Sequence, residues 1–84
     1  MKETFVKKEW PEENIVIFLH FQGEYAVRQL EIKANHVERV TLDNPIKERI
    51  VLCDAFLSDL ELSETDFITK EEFERAWIKG TGLK

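Results

Sequence analysis

The chain has 84 residues, of which 43% are hydrophobic and 35% charged, and it carries a net charge of −5. That length allows a single domain, residues 1–84, since domains usually run to about 100–150 residues, and the composition excludes a disordered chain. The lone cysteine, Cys53, excludes an intrachain disulfide and a zinc site built from thiolates, and no Lys/Arg cluster of the kind that binds nucleic acid is present.

The N-terminal half reads as strands. Thr4 to Trp10 sets Phe5, Val6 and Trp10 among charges, and Pro11-Glu12-Glu13-Asn14 makes a polar turn. Asn14 to Phe21 is apolar on both parities, with Ile15, Ile17, Leu19 and Phe21 against Val16 and Phe18. A strand of that kind is central and covered twice, by helices or by a second subunit. This longest apolar run falls far short of the ~20 residues of a membrane helix. Met1-Lys2-Glu3 leads into a strand with no signal-peptide core, so the expected compartment is the cytoplasm and no membrane partner is expected. Gln22-Gly23-Glu24 supplies a hairpin turn, and Tyr25 to Lys33 follows as the partner strand. Ala34-Asn35-His36 is a second turn and Val37 to Leu42 a fourth strand, which together suggest an antiparallel meander.

After Leu42 the period changes. Asn44-Pro45 resembles a helix start, and Ile46, Ile50, Cys53, Leu57 and Leu60 recur at steps of four and three. The spacing predicts a helix from Pro45, favoured over the alternative that Ile50 to Cys53 forms a short fifth strand. Thr69-Lys70-Glu71-Glu72 has the form of a capping box, with Ile68 and Phe73 placed as a hydrophobic staple. Phe73, Ala76 and Trp77 then form one apolar stripe, and Gly80 can close the helix in the left-handed conformation.

These residues resemble a family. Trp10, the acidic Glu12-Glu13 turn and the strand Glu24 to Ile32 are similar to a widespread bacterial domain family of unknown function. In it, a Trp-ended first strand meets a Tyr-x-Val-Arg strand. The family closes on a Ser/Thr-Lys-Glu-Glu-Phe-x-x-x-Trp helix, matched here by Thr69 to Trp77. The resemblance touches about half the chain, at both ends, and departs between Asn35 and Asp66, where the family's Gly-rich loop is missing. It implies a fold and no chemistry.

Candidate sites are few. His20 shares the apolar second strand with Val16 and Phe18, where a core or edge histidine is expected, and no histidine spacing points to a metal. His36 falls in a turn. Cys53 lies on an apolar stripe and is expected to pack as a small hydrophobe, inert to thiol reagents. Asp54, Asp59, Glu61, Glu64, Asp66, Glu71, Glu72 and Glu74 are opposed by Lys70 alone. That run lacks the central Gly of a calcium loop, which leaves a solvated face or one that meets a basic partner. Arg28, with Tyr25 beside it and Trp10 on the first strand, has the composition of an interface hot spot. The plainer reading is an Arg laid over the sheet and paired with Glu9, Glu24 or Glu31.

The expected architecture is α+β: a small antiparallel sheet of three or four strands with two C-terminal helices on one face. The other face would stay wet, and an exposed apolar face of that size marks an interface. The expected function is a non-enzymatic protein-interaction module, binding a protein partner or a second copy as a homodimer, with no cofactor and no metal. Its interface would be Val16, Phe18, His20, Tyr25 and Val27, with Arg28 at the rim. An alternative is a small acidic inhibitory protein, such as an immunity protein or antitoxin, that masks a basic site on its partner.

Overall fold

β-Branched and aromatic residues dominate the first half of the chain, and they build one antiparallel sheet. The computed structural model describes residues 2–34, 36–47 and 50–80. In it β1 (Glu3–Trp10), β2 (Ile15–Gln22), β3 (Tyr25–Lys33) and β4 (His36–Thr41) form a meander. Two short strands, β5 (Ile46–Lys47) and β6 (Ile50–Val51), pair with each other, and β7 (Phe67–Ile68) precedes the helix α1 (Lys70–Lys79). β7 joins the outer edge of β1 opposite Phe5 and Val6, so the main sheet has five strands in the order β4-β3-β2-β1-β7. The first turn suits its residues. Asn14, which tolerates left-handed backbone, closes the Pro11–Glu13 turn at φ 57°. Of the expected turn after β3, Ala34 is described and Asn35 lies outside the described residues.

The expectation of two C-terminal helices and three or four strands is corrected on both counts: among the described residues there is one helix, α1, and the sheet has five strands. The reason lies between Thr41 and Leu62. Asn44 is spent on a turn, its amide donating to Thr41 Oγ1 and its carbonyl accepting from the Thr41 amide, both at 3.1 Å, so it caps no helix. Ile50 and Leu52 point inward and Val51 outward, which is strand periodicity in place of helical periodicity. Residues 52–62 then run over the sheet as an irregular strap with one 3₁₀ turn at Leu57–Asp59. Sheet groups satisfy its amides: Cys53 N–H donates to Gln29 Oε1 at 2.8 Å, Leu57 N–H to the Glu24 carbonyl at 3.0 Å, and Ser58 N–H to Glu24 Oε1 at 2.8 Å.

Both faces of the sheet are therefore covered. On one, Phe5, Phe18 and Leu30 pack against Phe73 and Ala76 of α1. On the other, Val6, Leu19, Phe21, Ala26 and Val40 pack against Ile50 and Leu52, with Leu57, Leu60 and Leu62 of the strap beside them. The wet face anticipated from the two-helix arrangement does not exist. α1 is capped by Thr69, whose Oγ1 accepts from the Glu72 amide at 3.1 Å; the reciprocal bond of a full capping box is absent among the described residues. It ends at Gly80 with φ 67°, where an added Cβ would stand 3.0 Å from Arg39 Nη2. No described helix is long and apolar enough to cross a membrane.

Removing the Phe73 ring, which is wholly buried, is expected to destabilise the chain by about 3–5 kcal/mol. Thr69→Ala, which removes only the cap, should lose about 1 kcal/mol. Urea denaturation followed by tryptophan fluorescence checks both. Equal midpoints for wild type and Phe73→Ala would mean that α1 is not part of the core.

Candidate functional site

Two arrangements stand out, one under α1 and one under the strap. Beneath α1, Arg28 on β3 donates through both terminal nitrogens to the Glu74 carboxylate, at 3.2 and 2.6 Å. Its Nε donates to His20 Nδ1 at 3.0 Å. Because Nδ1 accepts, the ring proton sits on Nε2, where it faces the Glu3 carboxylate. The guanidinium carbon lies 4.7 Å from the Phe73 ring centre and 5.1 Å from that of Trp77. His20 itself stacks on Phe5 at 4.5 Å. The chain Glu3–His20–Arg28–Glu74 thus ties β1, β2 and β3 to the helix. Its bidentate geometry explains why an arginine occupies this position.

The residues singled out by sequence separate in the structure. Val16 packs against the cluster beneath α1, Phe18 is 1% exposed within that cluster, and His20 is buried beside it. Arg28 is paired with Glu74 and not with Glu9, Glu24 or Glu31. Val27 sits at a bulge: His20 faces Arg28 and Phe21 faces Ala26, which leaves Val27 without a partner on β2. Tyr25 alone is prominently exposed, at 63%, with Phe56 edge-on at 5.4 Å. His20 and Arg28 are brought together, whereas Tyr25 stands away from them against the strap.

The second arrangement is a groove that these residues do not line. Trp10, Ile17, Leu19, Cys53, Leu60 and Leu62 wall an open cavity of about 250 Å³ between β1–β2 and the strap, with Lys8, Gln29 and Glu61 as its polar members. Lys8 is already engaged, by Asp66 at 3.1 Å and the Glu61 carbonyl at 3.4 Å. The Ser63 amide, and then Lys8, hold the Asp66 carboxyl below its ordinary value. Gln29 is different. It is 7% exposed and its Oε1 takes the Cys53 amide, but its Nε2 donates to no described residue. Among the described residues no fully buried side-chain polar atom lacks a partner, and Gln29 is one of the residues that line the groove. Leu60 and Leu62 flanking Glu61 were the sequence signal for this wall, an alternation at strand period within a segment otherwise read as acidic surface. Cys53 is half-buried at the groove and not on a helix. Among the described residues no three His, Cys, Asp or Glu side chains converge as metal ligands would.

A small antiparallel sheet with one capped helix and an open, mostly apolar groove defines an α+β domain. Residues 2–82 match the family described as Myosin VI cargo binding domain, and the chain belongs to that family. No curated protein and no solved structure matches the chain. The family match overturns the resemblance to a bacterial family of unknown function. The segments that carried it, an alternating strand with Arg28 and a capped amphipathic helix, are local solutions that unrelated α+β folds share.

The Arg28 hydrogen bonds hold the Glu74 carboxyl below its ordinary value of 4.5, outweighing the opposing effect of burial. A depressed carboxyl stabilises the fold above the ordinary glutamate range, and that contribution is lost as pH falls through the lower folded value. Wild type is therefore expected to melt above Glu74→Gln near neutrality, and the gap in Tm should close as the pH drops below 4.5. A gap that persisted unchanged into acid would show that the Glu74 charge is not what joins α1 to β3.

Proposed function

We propose that this chain is a non-enzymatic protein-interaction module that receives a segment of a partner protein in the groove between β1–β2 and the strap. Membership of a family described as a cargo binding domain supports the class of function. One observation supports the place: an open apolar groove with the nearly buried Gln29 amide left short of an acceptor. At about 250 Å³ the cavity is below the ~300–1,000 Å³ usual for small-molecule sites. It suits one or two apolar side chains of a docking segment, with Gln29 Nε2 donating to a carbonyl of that segment. Both sheet faces are covered within the chain, which removes the reason for a homodimer built on a bare face and favours a separate partner. The unpaired Cys53 suits a reducing compartment such as the cytoplasm.

The exposed acidic residues of the strap support a second reading, a small inhibitory protein that covers a basic site. In that case binding would spread over the acidic surface and leave the groove empty.

Cys53 offers a direct test because it lines the groove. Peptides selected from a random displayed library on the folded protein should slow the reaction of Cys53 with a small thiol reagent. Trp10→Ala, at a residue 40% exposed and outside the core, should weaken the same peptides by about ten-fold, as loss of an aromatic anchor does. Selected peptides that bind without altering Cys53 reactivity would sink the groove as the site.

A further inference from the structure

The strap that forms one wall of the groove carries charge of a single sign, and Glu61 is the carboxylate that lines the groove itself. From Ile50 to Thr69 the chain contains no Lys, Arg or His. Asp54, Asp59, Glu61 and Glu64 are all exposed there, and none pairs with a cation among the described residues. Three of them are interleaved in sequence with the groove's apolar residues: Asp54 follows Cys53, Asp59 and Glu61 flank Leu60, and Glu61 precedes Leu62. The opposite wall offers only Lys8, whose ammonium is spent on Asp66 and the Glu61 carbonyl. Gln29 also lines the groove, its Oε1 held by the Cys53 amide and its N–H₂ without an acceptor among the described residues. An apolar slot with a fixed donor inside and uncompensated carboxylates outside selects for a complementary pattern in its ligand.

Resting on the groove reading, we infer that the occupant is a partner segment whose apolar side chains are flanked by lysine or arginine. Its apolar residues enter between Trp10, Leu60 and Leu62, a main-chain carbonyl accepts from Gln29 Nε2, and its basic residues lie along Asp54, Asp59, Glu61 and Glu64. A segment flanked by acidic residues would meet the same carboxylates with like charge and be rejected, so the strap acts as a specificity filter as well as a lid on the core.

Fluorescence anisotropy with three synthetic peptides tests this: leucines flanked by lysines, the same leucines flanked by glutamates, and the lysine peptide with serines in place of leucines. Only the first should bind well, and its binding should weaken as salt is raised. Each of Asp59→Lys and Glu61→Lys, both at exposed positions, should weaken it by about two- to five-fold, as exposed ion pairs do, and each should improve the glutamate peptide. Trp10→Ala should weaken every peptide that uses the groove. If the two leucine peptides bind equally and both respond to Trp10→Ala, the groove reading stands and the basic pattern is overturned. Binding of the serine peptide as tightly as the leucine one, indifferent to Trp10→Ala, would mean a diffuse acidic surface and would remove the groove with it. No binding by either leucine peptide overturns the basic–apolar pattern; the groove reading falls with it only if displayed-library peptides also leave Cys53 unprotected.

Discussion

β2 cannot leave either of its faces in water. Ile17, Leu19 and Phe21 project to one side and Val16 and Phe18 to the other, and the strand lies at the centre of the five-strand sheet. Each large aliphatic or aromatic side chain that remained exposed would forfeit about 1.5–3 kcal/mol, so two covers are required. α1 supplies one with ten residues. The other must come from what remains between β4 and β7. A second helix there would leave few residues to cross the width of the sheet, whereas an extended strap rises more than twice as far per residue. The strap is thus the solution that a short chain allows when both faces of its central strand are apolar.

Beneath α1 the division of labour follows from magnitudes. Phe73 and Ala76 are buried against Phe5, Phe18 and Leu30, and that apolar contact holds the helix down. The Arg28–Glu74 pair is about a quarter to a third exposed on each side, and pairs of that kind stabilise by about 0–1 kcal/mol. Its bidentate geometry, and the contact of the guanidinium with the Phe73 and Trp77 rings, act on the rotation of α1 about its own axis more than on its affinity for the sheet. The hot-spot composition of Tyr25, Arg28 and Trp10 therefore conceals three separate duties: an exposed ring on the strap side, a helix clamp, and a groove wall.

Local physics made much of this legible in the sequence. The long strands are set by β-branched and aromatic runs and by turn residues, and the terminal helix by Thr69, the Phe73–Trp77 stripe and Gly80. None of these needs information from distant residues. The strap was not legible because its apolar residues satisfy two periods at once. Ile46, Ile50, Cys53, Leu57 and Leu60 fit a helical stripe, while Ile50–Leu52 and Leu60–Leu62 fit a strand. The choice is made elsewhere, by Glu24 and Gln29 presenting acceptors to the strap's amides. The groove shared that fate, since its walls come from β1, β2 and a segment whose path depends on those distant bonds.

The same economy joins stability to binding. A helix over the second face would have satisfied its own backbone and closed down on the sheet. The strap instead borrows acceptors at a few points, Gln29 for Cys53 and Glu24 for Leu57 and Ser58, and between them it stands off far enough to leave a cavity. Gln29 is central to both roles. Its Oε1 anchors the strap, its Nε2 finds no acceptor among the described residues, and the residue lines the groove. A ligand carbonyl that took this donor would complete the amide and bear on the strap from inside. A segment that binds the folded state alone stabilises it by mass action, so occupancy of the groove and firmness of the strap rise together.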